Sequence, residues 1–168
     1  MPASTPIYGF PYPTGTDRVM DGDNAIGALA QAIEDTIGSI RAARAELSAD
    51  LTLTTSHANL AGCNVTAVTI VPEIWLLIGT YDFQVTGAGA STLARGALVI
   101  DNVEQPQLAN FDMYAVSRGT VSQTHVTGVL APGTHTAILR GFKSTASGAA
   151  AAVAGATNIT VLRIPAGA

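Results

Sequence analysis

Three histidines, one cysteine and a short run of aspartates are the residues whose types could do chemistry in this chain. His125 and His135 stand ten residues apart on two adjacent predicted strands, where they could share a carboxylate as an acid–base pair or half a metal site. A strand histidine among apolar neighbours is more commonly a hydrogen-bonded packing residue, and His57 is the third histidine of the chain. Cys63 excludes an intrachain disulfide and a cysteine-based metal cluster, and reads as a small buried residue. Asp17, Asp21 and Asp23 lack the alternating ligands and closing glutamate of a calcium loop, so they read as capping and solvated. No nucleophile elbow, P-loop or dinucleotide fingerprint occurs. The expectation is a protein that is no enzyme and uses no cofactor or metal.

If the side chains do no chemistry, their spacing must describe an assembly. Between Asp21 and Asp50 the large apolar residues fall at Ile26, Leu29, Ile33, Ile37, Ile40 and Leu47, in steps of 3, 4, 4, 3 and 7. That is helical spacing close to a heptad seam, set among helix-favouring alanines. A stripe so narrow meets only one or two other helices, which suits a self-associating stalk about 40 Å long. Six such side chains at about 1.5–3 kcal/mol each do not outweigh a backbone ordering cost of about 1–2 kcal/mol per residue. The stalk therefore depends on the rest of the chain to hold copies together. The alternative is one amphipathic helix lying on the chain's own sheet.

Ahead of this stretch, residues 1–20 carry Pro2, Pro6, Pro11 and Pro13 interleaved with Ile7, Tyr8, Phe10 and Tyr12. Proline removes backbone donors and fixes φ, so the arm should be extended and its aromatics should need another surface. Ile7, Tyr8, Phe10, Pro11, Tyr12 and Pro13 are the candidate anchoring residues. The whole chain of 168 residues is 48% hydrophobic and only 12% charged, which suggests surface buried against copies of itself or a larger assembly. A net charge of −4 with eight scattered Lys and Arg argues against a nucleic-acid surface. No membrane span and no secretory signal are evident, so synthesis in a cytoplasm is expected.

After Leu47 the period changes from helical to two, which places a domain boundary at Asp50 and divides the chain into 1–20, 21–50 and 51–168. Strands are predicted at 51–55, 65–71, 75–86, 93–100, 107–116, 120–130, 134–142 and 158–164, separated by Gly, Pro, Asn and Asp, as in an antiparallel β-sandwich. Asp101-Asn102 is a two-residue hairpin signal, and Ser144 to Ala156 reads as a hairpin tip. Gly79-Thr80 and Gly133-Thr134 both read as strand starts. Trp75 to Ile78 and Leu98 to Ile100 are apolar at consecutive positions, as expected of a sheet packed on a three-fold axis with both faces covered.

The runs Pro72 to Phe83, Leu130 to Leu139 and Thr160 to Ile164 resemble the head domains of the tumour necrosis factor and complement globular-head superfamily. That resemblance implies a jelly roll and a tight trimer. Tyr8 to Asp17, Asp21-Gly22 and the helix containing Ala28 to Glu34 resemble the N-termini of structural proteins of tailed bacteriophages. The two together imply an N-terminal anchor, a short trimeric coiled-coil stalk and a jelly-roll head on the surface of a virion. The expected partners are two further copies and a major capsid or tail protein. Capsid decoration or head fibre is the first reading. A minor tail protein or short tail fibre with a host receptor or glycan as partner is the second, with loops 88–92 and 144–156 as its contact surface.

Overall fold

Alternating side chains organise most of this molecule. In the computed structural model the backbone is described for residues 3–4, 11–12, 19–38, 40–87, 93–112 and 116–166, with side chains for 24, 26–34 and the same ranges from 40 onward. Two short strands, β1 (Ala3–Ser4) and β2 (Pro11–Tyr12), pair antiparallel ahead of the helix α1 (Val19–Gly38). Ten further strands follow: β3 (Arg41–Glu46), β4 (Leu51–Thr52), β5 (Ala58–Thr69), β6 (Glu73–Gly87), β7 (Leu93–Ile100), β8 (Val103–Asp112), β9 (Ser117–Val126), β10 (Gly133–Lys143), β11 (Ala149–Ala152) and β12 (Asn158–Pro165).

One sheet runs β5-β10-β7-β8 and the other β3-β12-β6, with β9 on the free edge of β6. The long β6 carries β12 over Glu73 to Thr80 and β11 over Phe83 to Gly87 on one edge, and β9 over Leu76 to Val85 on the other. First strand beside last, and second beside second-to-last principal strand, is the connectivity of a jelly roll. The chain is mainly β, with antiparallel sheets and one short helix.

The core lies where the inward positions of the two sheets meet. Trp75, Leu77, Tyr81, Phe83 and Val85 alternate along β6 and face Leu98 and Leu139 from the opposite sheet, all fully buried. Asp101 (φ 48) and Asn102 (φ 68) both occupy the left-handed region and close the β7–β8 hairpin, as their types predict. Gly79 does not start a strand. It lies inside β6, where an added Cβ would stand 3.2 Å from the Tyr81 hydroxyl, while one at Gly96 would strike the Tyr81 ring itself. The two glycines make the slot that ring fills. The Tyr81 hydroxyl has no hydrogen-bond partner there, and burial pushes its pKa well up. Tyr81→Phe removes an unsatisfied polar group and keeps the ring, so urea denaturation should find it as stable as the parent or about 1 kcal/mol more stable.

The boundary at Asp50 is corrected. The helix stops at Gly38, and Arg41–Glu46 is the first strand of the sandwich, antiparallel to β12 with Ala43 opposite Val161 and Ala45 opposite Ile159. Alanine, arginine and glutamate are good helix formers, but here the unpaired edge of β12 decides. Leu47 consequently belongs to the sandwich core, 3% exposed, with its N–H donating to Thr157 O at 2.9 Å. It is no stalk residue, and Ile40 lies past the helix end. At 20 residues α1 is about 30 Å long.

Candidate functional site

The outer side of the β3-β12-β6-β9 sheet is apolar where a lone domain would be polar. On β6, Ile74, Leu76 and Ile78 point away from the core, and register places Ile164 beside Ile74, Leu162 beside Leu76, and Val126 on the far side of Leu76. Ile78, Ile164 and Val126 are exposed and the other three half-buried. The pattern inverts along β12. Its inward position 163 holds an arginine, paired with Glu73 inside the same chain, while its outward neighbours are Leu162 and Ile164. Toward the other end of the strands the same face turns polar: Thr124, Ser122 and Thr120 on β9, Arg44 paired to Glu46 at 2.9 Å on β3, and Arg118 gripping Asp82 through two nitrogens at 2.7 and 3.1 Å. An uncovered apolar patch flanked by polar residues is a surface of the kind that protein–protein contacts use.

The inward arginine is held rigidly. Arg163 Nε and Nη2 each donate to a carboxylate oxygen of Glu73 at 2.9 Å, Trp75 Nε1 donates to the same carboxylate at 2.9 Å, and the guanidinium lies over the Trp75 ring. Burial alone would raise the Glu73 carboxyl, but the Arg163 and Trp75 hydrogen bonds outweigh it and hold the group below its usual range. Arg163 Nη2 also donates to Val68 O at 3.0 Å and so ties the end of β5 to the other sheet.

The expected second two-faced run is corrected. Val99 is fully buried within one chain, on a face shared with Ile138 and Glu104, so it needs no neighbouring copy. Over that sheet His57 stacks on Phe142 at 3.5 Å and meets Glu104 at 2.9 Å, and Glu104 also accepts from Arg140. The sequence could not separate the two runs, because consecutive apolar residues look alike whichever chain covers them.

The histidine pair does not assemble. His125 sits opposite Leu77 in one sheet, while His135 belongs to β10 in the other. His135 Nδ1–H donates to Asp101 Oδ2 at 2.7 Å and Nε2–H to Ala131 O at 2.8 Å. Two acceptors require both ring nitrogens protonated, so this is an imidazolium clamping the β7–β8 turn to β10. The Ala131 carbonyl and then Asp101 raise its pKa above the ordinary 6.5. For Asp101, burial pulls upward, but His135 and the Thr136 N–H hold it below 3.8. The histidine's contribution to stability is complete below about pH 6.5 and lost as pH rises through its folded value; the aspartate's is complete above about pH 3.8 and lost as pH falls. The melting temperature of the parent minus that of His135→Asn should therefore be largest near pH 5 and shrink toward pH 8.

Of the predicted stalk residues, Ile26 is 60% exposed, Ile33 is also exposed and Leu29 half-buried. The side chain of Ile37 lies outside the described residues. So do Ile7, Tyr8, Phe10 and Pro13 of the arm, Asp17, and loop 88–92; of Pro11 and Tyr12 only the backbone of β2 is described. Cys63 is fully buried and its thiol is pushed up to about 12 by burial and then by Glu46. Among the described residues no three His, Cys, Asp or Glu side chains cluster to hold a metal, and no helix is long and apolar enough to cross a membrane.

No protein-family model and no curated protein matches the chain. Among solved structures it is similar to Eiger TNF from S. frugiperda at 8% identity and a TM-score of 0.47, over 74% of this chain and 92% of that one. Murine APRIL follows at 9% and 0.38, over 73% of this chain and 100% of that one. A chain of infectious bursal disease virus, Gx strain, gives 10% and 0.44 over 76% of this chain, which spans 32% of the viral one. The jelly-roll assignment rests on the strand order above and not on these neighbours.

Proposed function

We propose that this chain is a non-enzymatic structural protein of a bacteriophage virion, a homotrimer held to the particle by residues 1–20 and projecting its jelly-roll head as a capsid decoration or head fibre. The observation that carries the trimer is the uncovered apolar centre of Leu76, Ile78, Leu162, Ile164 and Val126 on one sheet of the head. Three copies bring these faces together around an axis continued below by the Ile26, Leu29 and Ile33 side of α1. The proline-rich arm, with Ile7, Tyr8, Phe10, Pro11, Tyr12 and Pro13, would then be the part that meets the major capsid or tail protein.

Light scattering on the whole chain tests the assembly, with a mass three times 17.1 kDa expected. A chain lacking residues 1–20 should remain trimeric and lose its binding to virus particles; retained binding would remove the arm from the anchoring role. Micrographs of particles labelled with antibody against the head distinguish capsid from tail. Label confined to the tail would replace the first reading with a minor tail protein or short tail fibre, whose head meets a host receptor or glycan.

A further inference from the structure

Residues 127–132 connect β9 to β10, and hydrogen bonds hold them against β6. The Thr127 N–H donates to the Trp75 carbonyl at 3.0 Å, and the Thr127 hydroxyl accepts the Trp75 N–H at 2.9 Å. Leu130 and Glu73 exchange a backbone pair at 2.7 and 3.0 Å. The Ala131 carbonyl accepts from His135 Nε2–H at 2.8 Å and lies 3.0 Å from the Thr69 hydroxyl. That hydroxyl has one proton and a second acceptor in reach, Gly133 O at 3.2 Å, so among the described residues His135 is the only donor committed to Ala131.

This donor can lose its proton, and its surroundings fix which nitrogen gives it up. Asp101 faces Nδ1 from the β7–β8 turn at 2.7 Å, its other oxygen taken by the Thr136 N–H. Glu73 acts from β6 at longer range and is paired to Arg163 of β12. From β5 come uncharged Ala67 and Thr69, and the connection itself has no ionisable side chain. A neutral ring therefore keeps Nδ1–H on the Asp101 carboxylate and turns the Nε2 lone pair on the Ala131 oxygen, where two acceptors 2.8 Å apart repel. We propose that His135 is a proton-controlled latch: as imidazolium it holds residues 127–132 against Trp75 and Glu73, and when its proton passes to water the connection lifts away. Ala131 is exposed, and a Cβ added at Gly128 would meet nothing within 4 Å, so the segment has room to move. Lifting uncovers Leu130, which packs on the core, and Trp75, which is fully buried while the latch is closed and meets the His135 ring edge-on at 5.9 Å. The Ala131 carbonyl and Asp101 keep the ring protonated above pH 6.5, so the latch is closed in mild acid and opens as pH rises.

Trp75 is the single tryptophan, so acrylamide quenching of the whole chain between pH 5.5 and 9 is the test. The quenching constant should rise about twofold or more, with a midpoint above pH 6.5. Over the same range the Thr127 and Leu130 amides should lose about tenfold or more of their protection against hydrogen exchange, intrinsic rates divided out, while Leu139 keeps its own. Asp101→Asn removes the anion facing Nδ1 and should move the midpoint to lower pH. His135→Phe keeps a ring beside Trp75 but cannot donate, and should give the open values at every pH. Quenching that is flat with pH in the parent, or a midpoint that Asp101→Asn leaves in place, would overturn the latch, as would a pH-dependent rise that survives in His135→Phe. Should His135→Phe fail to fold, the parent and Asp101→Asn decide the matter alone.

Discussion

Leu162→Glu combined with Ile78→Glu should convert the particle seen by light scattering from a trimer to a single 17.1 kDa chain while its far-ultraviolet circular dichroism stays that of a β-sandwich. Neither side chain belongs to the buried core, so the folded head tolerates both changes. In an assembled face they would place two carboxylates per copy against apolar neighbours with no cation in register, since the cross-strand neighbours of these positions are Leu76, Ala42, Thr160 and Thr124. Burying an unpaired carboxylate costs several kcal/mol, and each large aliphatic lost from the interface forfeits about 1.5–3 kcal/mol more. Association should weaken by well over a hundredfold. A double variant that still sediments as a trimer would mean that another face holds the copies together, and the proposal would fail at its centre.

The second large effect lies beneath that face. Arg163→Ala leaves the Glu73 carboxylate, only 8% exposed, without its cation, and should cost about 3–5 kcal/mol by urea denaturation at pH 7. For a domain of this size that corresponds to a fall of about 10 °C or more in Tm. In the parent, the depressed Glu73 carboxyl contributes stability that is present above its ordinary pKa of 4.5 and lost as pH falls through the lower folded value. In the variant the Trp75 hydrogen bond and the Arg41 charge still favour the carboxylate, but the Arg163 contribution is gone and burial weighs more heavily toward the neutral acid, so the difference between the two proteins should narrow on acidification. Glu73→Gln/Arg163→Met, which removes both charges, should recover most of the loss. A cost below 1 kcal/mol for Arg163→Ala would show that the pair is dispensable, and that β12 is held by its backbone ladder and Trp75 packing alone.

Much of the head was legible because alternation is a local signal. Leu93 to Ile100 is read to the residue, and the Asp101-Asn102 turn needs only two side chains that tolerate positive φ. What defeated local reading was pairing between distant segments. Arg41 to Glu46 has the composition of a helix and becomes a strand because β12, more than a hundred residues later, offers it an edge. The helical period carried through Ile40 to Leu47 was a coincidence of spacing, and Gly38-Ser39 was the breaker that could have exposed it. The two histidines look adjacent in a linear list of strands, but the fold sends β9 and β10 to opposite sheets. The apolar outer face was half legible. Trp75 to Ile78 announces apolar residues on both sides, yet only the register shows Leu162, Ile164 and Val126 gathering beside them, and only the ion pair under β12 explains why position 163 is charged.

The polarity of the head sets where foreign sequence can be carried. β3 enters at Arg41, opposite Arg163, and β12 leaves at Pro165, opposite Glu73, so the sandwich begins and ends on the same side, the side from which α1 leads in. The turn from Ser144 to Gly148, braced by Lys143 Nζ donating to the Ala146 and Gly148 carbonyls, lies at the other extreme, beyond Leu93. In the trimer proposed above, a guest epitope spliced between Ser147 and Gly148 would be displayed at the end of the sandwich away from α1, in three copies.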